Sequence, residues 1–155
     1  MIYSRSAEYA IRAFVHLAQV PDGKYAMVKN IAEQEDIPVH FLAKILQQLA
    51  REGLLRSSKG PTGGFALRVA PADVRLWDIV EQLDGVSQYT VCASGLSECS
   101  DEMPCSMHDS WVALRSRIID YLERNTIADL VKALEQKRKL LAKPRKPRRV
   151  VAARR

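Results

Sequence analysis

Three cysteines and one histidine form the clearest chemical feature of this chain. They follow the pattern C-x6-C-x5-C-x2-H, and the chain contains no other cysteine. Thiolate sulfur and imidazole nitrogen are ligands that proteins use for zinc and for iron–sulfur clusters. The gaps of six and five residues exceed the roughly two to four residues common in structural zinc sites, and they favour a loop around a larger, two-metal object. The candidate metal ligands are Cys92, Cys99, Cys105 and His108.

The residues alone leave the bound group and the fourth ligand open. The cysteines could hold zinc or an iron–sulfur cluster, or they could act as a thiol switch without a metal. Glu8 is an alternative to His108 as the fourth ligand, although an acid in the first turn of a helix is also favoured by the helix dipole. Cys105 and His108 lie three residues apart at the start of a predicted helix, which places both on one side of it.

Charge is distributed unevenly along the chain. Ten of the 24 lysine and arginine residues lie in residues 137–155, which contain no acid, so residues 1–136 carry 14 basic residues against 18 acids. The formal net charge of +6 therefore describes the basic C-terminal end of the chain, which is predicted to be disordered from Lys143 onward. No apolar run is long enough to cross a membrane, and the N-terminus lacks a signal-peptide pattern. We therefore expect a cytoplasmic protein without a membrane partner.

Hydrophobic periodicity predicts three helices followed by a β-hairpin. The helices span about residues 4–19, 28–35 and 38–51. Ser4 or Ser6 is the expected N-cap of the first helix, and Pro38 fits the first turn of the third. Two short strands, 54–58 and 65–68, flank a loop that reads KGPTGG. This order predicts a mainly α fold that contains a winged helix-turn-helix.

The third helix and the hairpin loop carry the residues expected to meet DNA. In a winged helix-turn-helix, the second helix of the motif enters the major groove and its side chains reach base edges. A lysine suits guanine or phosphate, a glutamine suits adenine, and a cation at the wing tip suits the minor groove. The alternative is a protein-interaction module. The predicted DNA-binding residues are His40, Ala43, Lys44, Gln47, Lys59 and Gly60.

Further helices are predicted after the hairpin, over about residues 76–83, 106–124 and 126–141. The long middle helix carries an apolar seam of about two heptads. The seam consists of Trp111, Leu114, Ile118 and Tyr121. The last helix opens with Thr126 and Asp129 in the positions of a capping box. The cysteines lie in an aperiodic segment between the first two of these helices.

Four segments together resemble the Rrf-two family of bacterial transcription regulators, and in particular its IscR-like and NsrR-like members. They are YSRSAEYAIRAFVHLA, NIAEQEDIPVHFLAKILQQLAREGLL, the wing KGPTGGFAL and the cysteine loop, and the resemblance covers about residues 1–140. It implies a homodimer of winged-helix subunits that binds a double-stranded DNA operator. It also implies that the long C-terminal helix, 106–124, is the dimerisation helix and that each subunit holds one iron–sulfur cluster beside it.

The resemblance also assigns ligands and regions. The family's cysteines fall on Cys92, Cys99 and Cys105, although the first gap is six residues rather than the usual five. The histidine of IscR-like members falls on His108, which favours a 2Fe-2S cluster. The acid of NsrR-like members falls on Glu8, with 4Fe-4S as the alternative cluster. The expected regions are a DNA-binding region (1–84), a cluster loop (85–105), a dimerisation helix and final helix (106–141) and a basic tail (142–155).

These features predict a transcriptional regulator, acting as a repressor, whose DNA affinity responds to an iron–sulfur cluster. The cluster would sense redox state, iron–sulfur supply or nitric oxide. The alternative is a winged-helix regulator that uses a zinc site or a cysteine thiol switch instead. No arrangement of base and nucleophile predicts an enzyme, and the C-x-x-C motif of a thiol oxidoreductase is absent.

Overall fold

The helices and the hairpin of the DNA-binding region form as the sequence predicts. A computed structural model describes residues 2–142, so the predicted disorder of residues 143–155 lies outside the described residues. The elements of the first half are α1 (Arg5–Leu17), α2 (Val28–Glu35), α3 (Val39–Arg51), β1 (Leu55–Ser58) and β2 (Gly64–Leu67). Each bound lies within two residues of the sequence prediction, and α2 matches it at both ends.

Helix α1 forms the centre of the core. Ser4 is its N-cap, and the serine side chain accepts a hydrogen bond from the backbone of Ala7 at 3.2 Å. Three alanines of α1 are fully buried, which lets neighbouring helices approach closely, and Phe14 fills the remaining space. Arg12 donates a hydrogen bond to the carbonyl of Glu35, so α1 also holds the end of α2 in place.

The turn between α2 and α3 depends on two backbone positions. Asp36 adopts the left-handed conformation with φ of 51°, and this ends α2. Pro38 is the N-cap of α3 and does not lie inside its first turn, which corrects the sequence prediction by one residue. The reason is that Pro38 has an extended ψ of 121°, while its carbonyl already accepts bonds from Phe41 and Leu42. The inward face of α3 consists, as expected, of Leu42, Ile45, Leu46 and Leu49.

The wing contains one backbone pairing that the sequence did not indicate. Strands β1 and β2 pair antiparallel, with Leu55 opposite Leu67. On the other side of β2, Ala26 exchanges two backbone hydrogen bonds of 2.9 Å with Phe65. This close approach requires Gly64, because a Cβ at that position would lie 2.1 Å from the carbonyl oxygen of Ala26. The glycine also has a φ of +145°, which side chains rarely allow.

Replacing Gly64 with alanine is therefore expected to destabilise the fold by about 2 kcal/mol or more, since a strained backbone position alone costs about 1–3 kcal/mol. Urea unfolding of the purified protein measures the change. Gly23→Ala is the matched control, because Gly23 has a φ of +76° but nothing within 4 Å of the added carbon. Equal losses in both variants would show that the contact with Ala26 does not contribute.

The second half consists of three long helices, and short 3-10 helices span Pro71–Asp73 and Ser87–Tyr89. The long helices are α4 (Leu76–Asp84), α5 (His108–Arg124) and α6 (Ile127–Ala142). Thr126 and Asp129 form the predicted capping box, with reciprocal bonds of 3.1 Å and 3.3 Å between their backbone amides and side chains. No helix within residues 2–142 is long and apolar enough to cross a membrane.

Helix α5 has apolar side chains on two of its sides. Leu122 is fully buried, and Ile118 packs against the core from the same side. Leu114 and Tyr121, which belong to the predicted seam, are 52% and 46% exposed. The seam is thus divided between the core of this chain and a surface that a second molecule could cover.

Candidate functional site

The cysteine-bearing segment between α4 and α5 is anchored at its first residues. The hydroxyl of Tyr89 donates a hydrogen bond to the carbonyl of Ile2, which connects the segment to the start of α1. The indole nitrogen of Trp111 donates to the carbonyl of Val91 at 2.9 Å, which connects it to α5. Cys92 follows at once and is buried. The segment therefore contacts both the DNA-binding region and the long helix.

His108 is the centre of the most closely packed polar group in this segment. It is the one buried polar residue among residues 2–142, with 6% of its surface exposed. Its Nε2 lies 2.7 Å from Oδ1 of Asp101, and its Nδ1 lies 3.6 Å from Sγ of Cys99. Both ring nitrogens therefore have partners from the loop that precedes the helix.

A second polar contact in this segment involves the sulfur of Cys105. The hydroxyl of Ser94 donates a hydrogen bond to Sγ of Cys105 at 3.1 Å. This bond is the main reason that the pKa of the Cys105 thiol is lowered, and bonds from the Met107 backbone and, to a smaller extent, from the Cys92 thiol act in the same direction. Among the four predicted ligands, Cys99 and His108 are therefore in contact, and the Cys92 thiol helps to lower the pKa of Cys105.

The donor chemistry of these residues fits a metal or a cluster, although the side chains have not converged on one point. Within residues 2–142, no three histidine, cysteine or acidic side chains are arranged to hold one ion. All three cysteines are free thiols. Two ligands on one tetrahedral metal, with bonds of about 2.3 Å to sulfur and 2.0 Å to nitrogen, are roughly 3.6 Å apart. The separation between Cys99 Sγ and His108 Nδ1 has this value.

One geometric expectation for the ligands is wrong. Helix α5 begins at His108, so Cys105 lies in the turn before it and the two residues do not share a helix face. The backbone amide of His108 instead closes that turn on the carbonyl of Cys105 at 3.0 Å. The helix starts only after the cysteine loop has ended, because Cys105 still belongs to the irregular segment.

Glu8 has its described partners on its own helix. Its carboxylate lies 3.8 Å from the guanidinium of Arg12. The pKa of the nearby Tyr3 is raised mainly by burial and to a lesser degree by Tyr121 and Glu8. Within residues 2–142, Glu8 belongs to no group of three or more histidine, cysteine or acidic side chains that could hold a metal ion.

Removing the Ser94 hydroxyl is expected to raise the pKa of the Cys105 thiol toward its ordinary value, because the bond that stabilises the thiolate is removed. In metal-free Ser94→Ala protein, Cys105 should react more slowly with iodoacetamide at neutral pH, and the midpoint of its pH–rate curve should rise. Mass spectrometry of the modified peptide measures the rate. Ser97→Ala, at an exposed position of the same loop, is the control, and an unchanged midpoint in Ser94→Ala would refute this role of the hydroxyl.

Five of the six predicted DNA-binding residues are exposed. His40, Lys44 and Gln47 are exposed on α3, and Ala43 between them is half-buried. At the wing tip Lys59 and Gly60 are both exposed. A groove between α3 and the wing adds residues that the sequence did not single out. Beside the predicted Gln47, the groove is lined by Ala50, Arg51, Ser57 and Phe65.

Three contributors to these sites were missed, for different reasons. Arg51 had a usable signal, because it follows Gln47 by four residues and so lies on the same helical face. Asp101 and Ser94 had none, since their contacts with His108 and Cys105 form within an aperiodic loop.

Residues 3–133 match the sequence profile of a family described as Rrf2, iron-dependent transcriptional regulator. The chain belongs to the Rrf2 family. This finding confirms the resemblance to the Rrf-two family that the four sequence segments indicated.

Relatives and solved structures of the Rrf2 type agree with this assignment. A protein of Aquifex aeolicus (strain VF5), named as an HTH-type transcriptional regulator, is 37% identical over 138 residues, which cover 88% of this chain and 95% of the relative. CymR (YrzC), the global cysteine regulator of B. subtilis, superimposes with a TM-score of 0.70 and 25% identity over 84% of this chain and 95% of CymR. IscR of T. potens superimposes with a TM-score of 0.69 and 27% identity, over 86% of this chain and 88% of that IscR chain.

The Rrf2 assignment confirms three predictions. The fold is the mainly helical, winged-helix fold of these regulators. The protein is a transcriptional regulator of the helix-turn-helix type, a class that acts on DNA. It is not an enzyme, since its homologues are regulators.

Proposed function

We propose that this Rrf2 family regulator forms a homodimer, binds operator DNA as a repressor, and changes its DNA affinity with the state of an iron–sulfur cluster. The proposed ligands are Cys92, Cys99, Cys105 and His108. The observation that carries the proposal is the buried His108, whose Nδ1 lies 3.6 Å from the sulfur of Cys99. When bound, the cluster would supply a redox-active and nitric-oxide-reactive centre.

The pairing of the donors supports a 2Fe-2S cluster over a 4Fe-4S cluster. Two pairs of protein ligands suit two iron atoms; here the Cys99 sulfur lies 3.6 Å from His108 Nδ1, and the Cys92 thiol helps to lower the pKa of Cys105. Glu8, the ligand expected for the larger cluster, is instead paired with Arg12. IscR of T. potens is a structural neighbour of this chain, which agrees with the proposal.

The anchors of the cysteine loop support a route from the cluster to DNA. Tyr89 holds the loop to the backbone of Ile2, and Ser4 at the start of α1 is bonded to Asp84 at the end of α4. Trp111 holds the loop to α5, whose exposed apolar side would form the dimer interface. A change in the loop would therefore alter how α5 sits against α4, which packs on both α5 and α1. The distance between the two recognition helices must match half-sites about 34 Å apart.

This proposal also assigns the remaining regions of the chain. His40, Ala43, Lys44 and Gln47 would face the major groove, and Lys59 and Gly60 would contact the DNA from the wing. Residues 85–105 would be the cluster loop and residues 106–141 the dimer-forming region. The protein would act in the cytoplasm, where a bacterial regulator meets its operator.

The deciding experiment is analysis of anaerobically purified protein for iron, acid-labile sulfide and zinc, together with its visible absorption spectrum. The proposal predicts two iron and two sulfide per subunit and a coloured sample that bleaches in air or nitric oxide. Stoichiometric zinc in a colourless sample without sulfide would replace the cluster by a zinc site. Four iron and four sulfide would contradict the 2Fe-2S assignment and return Glu8 to consideration.

A thiol switch without a metal is the second candidate, because the lowered pKa of Cys105 and the nearby Cys92 thiol favour it. It predicts a sample free of iron and zinc in which hydrogen peroxide oxidises two thiols to one disulfide, with release of water. Non-reducing mass spectrometry would detect a disulfide between Cys92 and Cys105, and DNA binding would change in parallel.

A further inference from the structure

The geometry points to Asp101 as a positioning residue that orients His108 so that its Nδ1 binds the same metal ion as the sulfur of Cys99. This inference rests on the proposed function, because it concerns the metal ligands of that site. It adds the ring atom that would bind, the cysteine that would share its metal, and a residue that no sequence pattern had marked.

The contacts of His108 distinguish its two ring nitrogens. Oδ1 of Asp101 lies 2.7 Å from Nε2, a short distance for a hydrogen bond to a carboxylate. The carboxylate accepts only, so the bond requires a proton on Nε2. In the neutral ring this leaves the lone pair on Nδ1, the atom that faces Cys99. A metal-binding histidine almost always donates its other N–H in this way.

Asp101 is the loop acid that contacts the buried ring of His108. The His108 side chain is 7% exposed, whereas that of Asp101 is 95% exposed, so a solvent-facing acid reaches the ring from outside. The neighbouring acids in the loop, Glu98 before Asp101 and Glu102 after it, are exposed and have no described contact with the ring. The loop thus contains acids of the same charge that can serve as controls.

The partner of the histidine follows from the distance to Cys99. The separation of 3.6 Å between Nδ1 and Sγ equals the roughly 3.6 Å expected for two ligands on one tetrahedral ion. Cys105 is turned instead toward Ser94. His108 and Cys99 therefore form one half of the ligand set.

The first test uses metal-free protein. In nitrogen-15 NMR, His108 should carry a proton on Nε2 whose signal is shifted downfield and protected from exchange. Asp101→Ala should remove this protection, Asp101→Asn should preserve it because an acceptor oxygen remains, and Glu102→Ala should leave it unchanged. Loss in Glu102→Ala as well as in Asp101→Ala would overturn the role of Asp101.

The second test uses a metal probe that does not depend on the natural group. One equivalent of cobalt(II) is titrated into the metal-free protein, and its sulfur-to-metal absorption is followed. Asp101→Ala should weaken cobalt binding about 10- to 100-fold, as removal of a carboxylate behind a metal-binding histidine does, while Glu102→Ala should match the wild type. Equal affinities for Asp101→Ala and wild type would overturn the inference.

The third test identifies the binding atom in anaerobically purified protein. The chain has three histidines, which can be labelled with nitrogen-15 at Nδ1 alone, and His108→Ala identifies the relevant one. Pulsed EPR of the reduced cluster should show strong coupling to the labelled Nδ1. Coupling only to Nε2 would overturn the inference. A sample without iron would reject the proposed function, while the cobalt and NMR results would still decide the role of Asp101.

Discussion

Cys105→Ala protein purified without oxygen is expected to contain neither iron nor acid-labile sulfide above background and to lack the visible absorption of a cluster. A methyl group cannot replace a thiolate ligand, and the remaining donors, Cys92, Cys99 and His108, are one short of the four that an iron–sulfur cluster needs. Metal analysis by plasma emission, a sulfide assay and absorption spectra measure the result. Because Cys105 lies in an irregular turn and outside the core, the fold should survive, and circular dichroism checks this.

Two control variants make this result specific. Met103→Ala removes a side chain that is 77% exposed in the same loop and should keep a full cluster. Glu8→Gln should also keep it, because Glu8 pairs with Arg12 on α1. If Cys105→Ala retains iron and sulfide at the wild-type level, or if Glu8→Gln loses both, then the proposed ligand set is incorrect.

The double variant Lys44→Ala, Lys59→Ala is expected to bind its operator about 100-fold more weakly, since each good contact to a base edge contributes about 1–3 kcal/mol. Lys44 is exposed on α3 and Lys59 at the wing tip, so the variant removes one cation from each of the two DNA-facing elements. Fluorescence anisotropy with an operator selected from random-sequence DNA measures the affinity. The slope of log affinity against log salt should fall by about one for each lysine–phosphate interaction that the variant removes.

Lys132→Ala is the matched control for this experiment. Lys132 lies on α6 with its side chain 72% exposed, and its described partner is Asp129 at 3.9 Å. The substitution removes the same kind of charge from a helix outside the proposed DNA interface, so the affinity for the operator should stay at the wild-type level. Equal weakening by Lys132→Ala would mean that net charge governs binding, whereas no weakening in the double variant would place the DNA interface elsewhere.

Elements with a repeating pattern could be predicted closely from the sequence. The apolar spacing of α2 and the capping box of Thr126 and Asp129 predict these features at the positions where the structure has them. Pairings that involve single residues could not be predicted, because one residue has no period. The bridges of Ala26 with Phe65 and of Arg75 with Thr126 belong to this class.

The candidate site was predictable in its residue types and less so in its arrangement. Thiolates and imidazole indicate a metal from their chemistry alone, which identified Cys92, Cys99, Cys105 and His108. Which of them pair depends on an irregular loop whose course is determined by long-range bonds, such as that of Trp111 to Val91. The helix start at His108 likewise separated that residue from Cys105.

The hydrogen bonds at the start of α1 have a consequence for how the chain folds as it is synthesised. Ser4 is bonded to Asp84, 80 residues later, and Tyr89 is bonded to Ile2 across 87 residues. The start of the first helix therefore leaves the ribosome long before Asp84 and Tyr89 are synthesised, and such distant contacts form late in folding. A chain cut after residue 84 would lack Tyr89, Leu122 and Ile127, all of them buried in the common core. The DNA-binding region and the proposed cluster loop are thus expected to fold together as one cooperative unit.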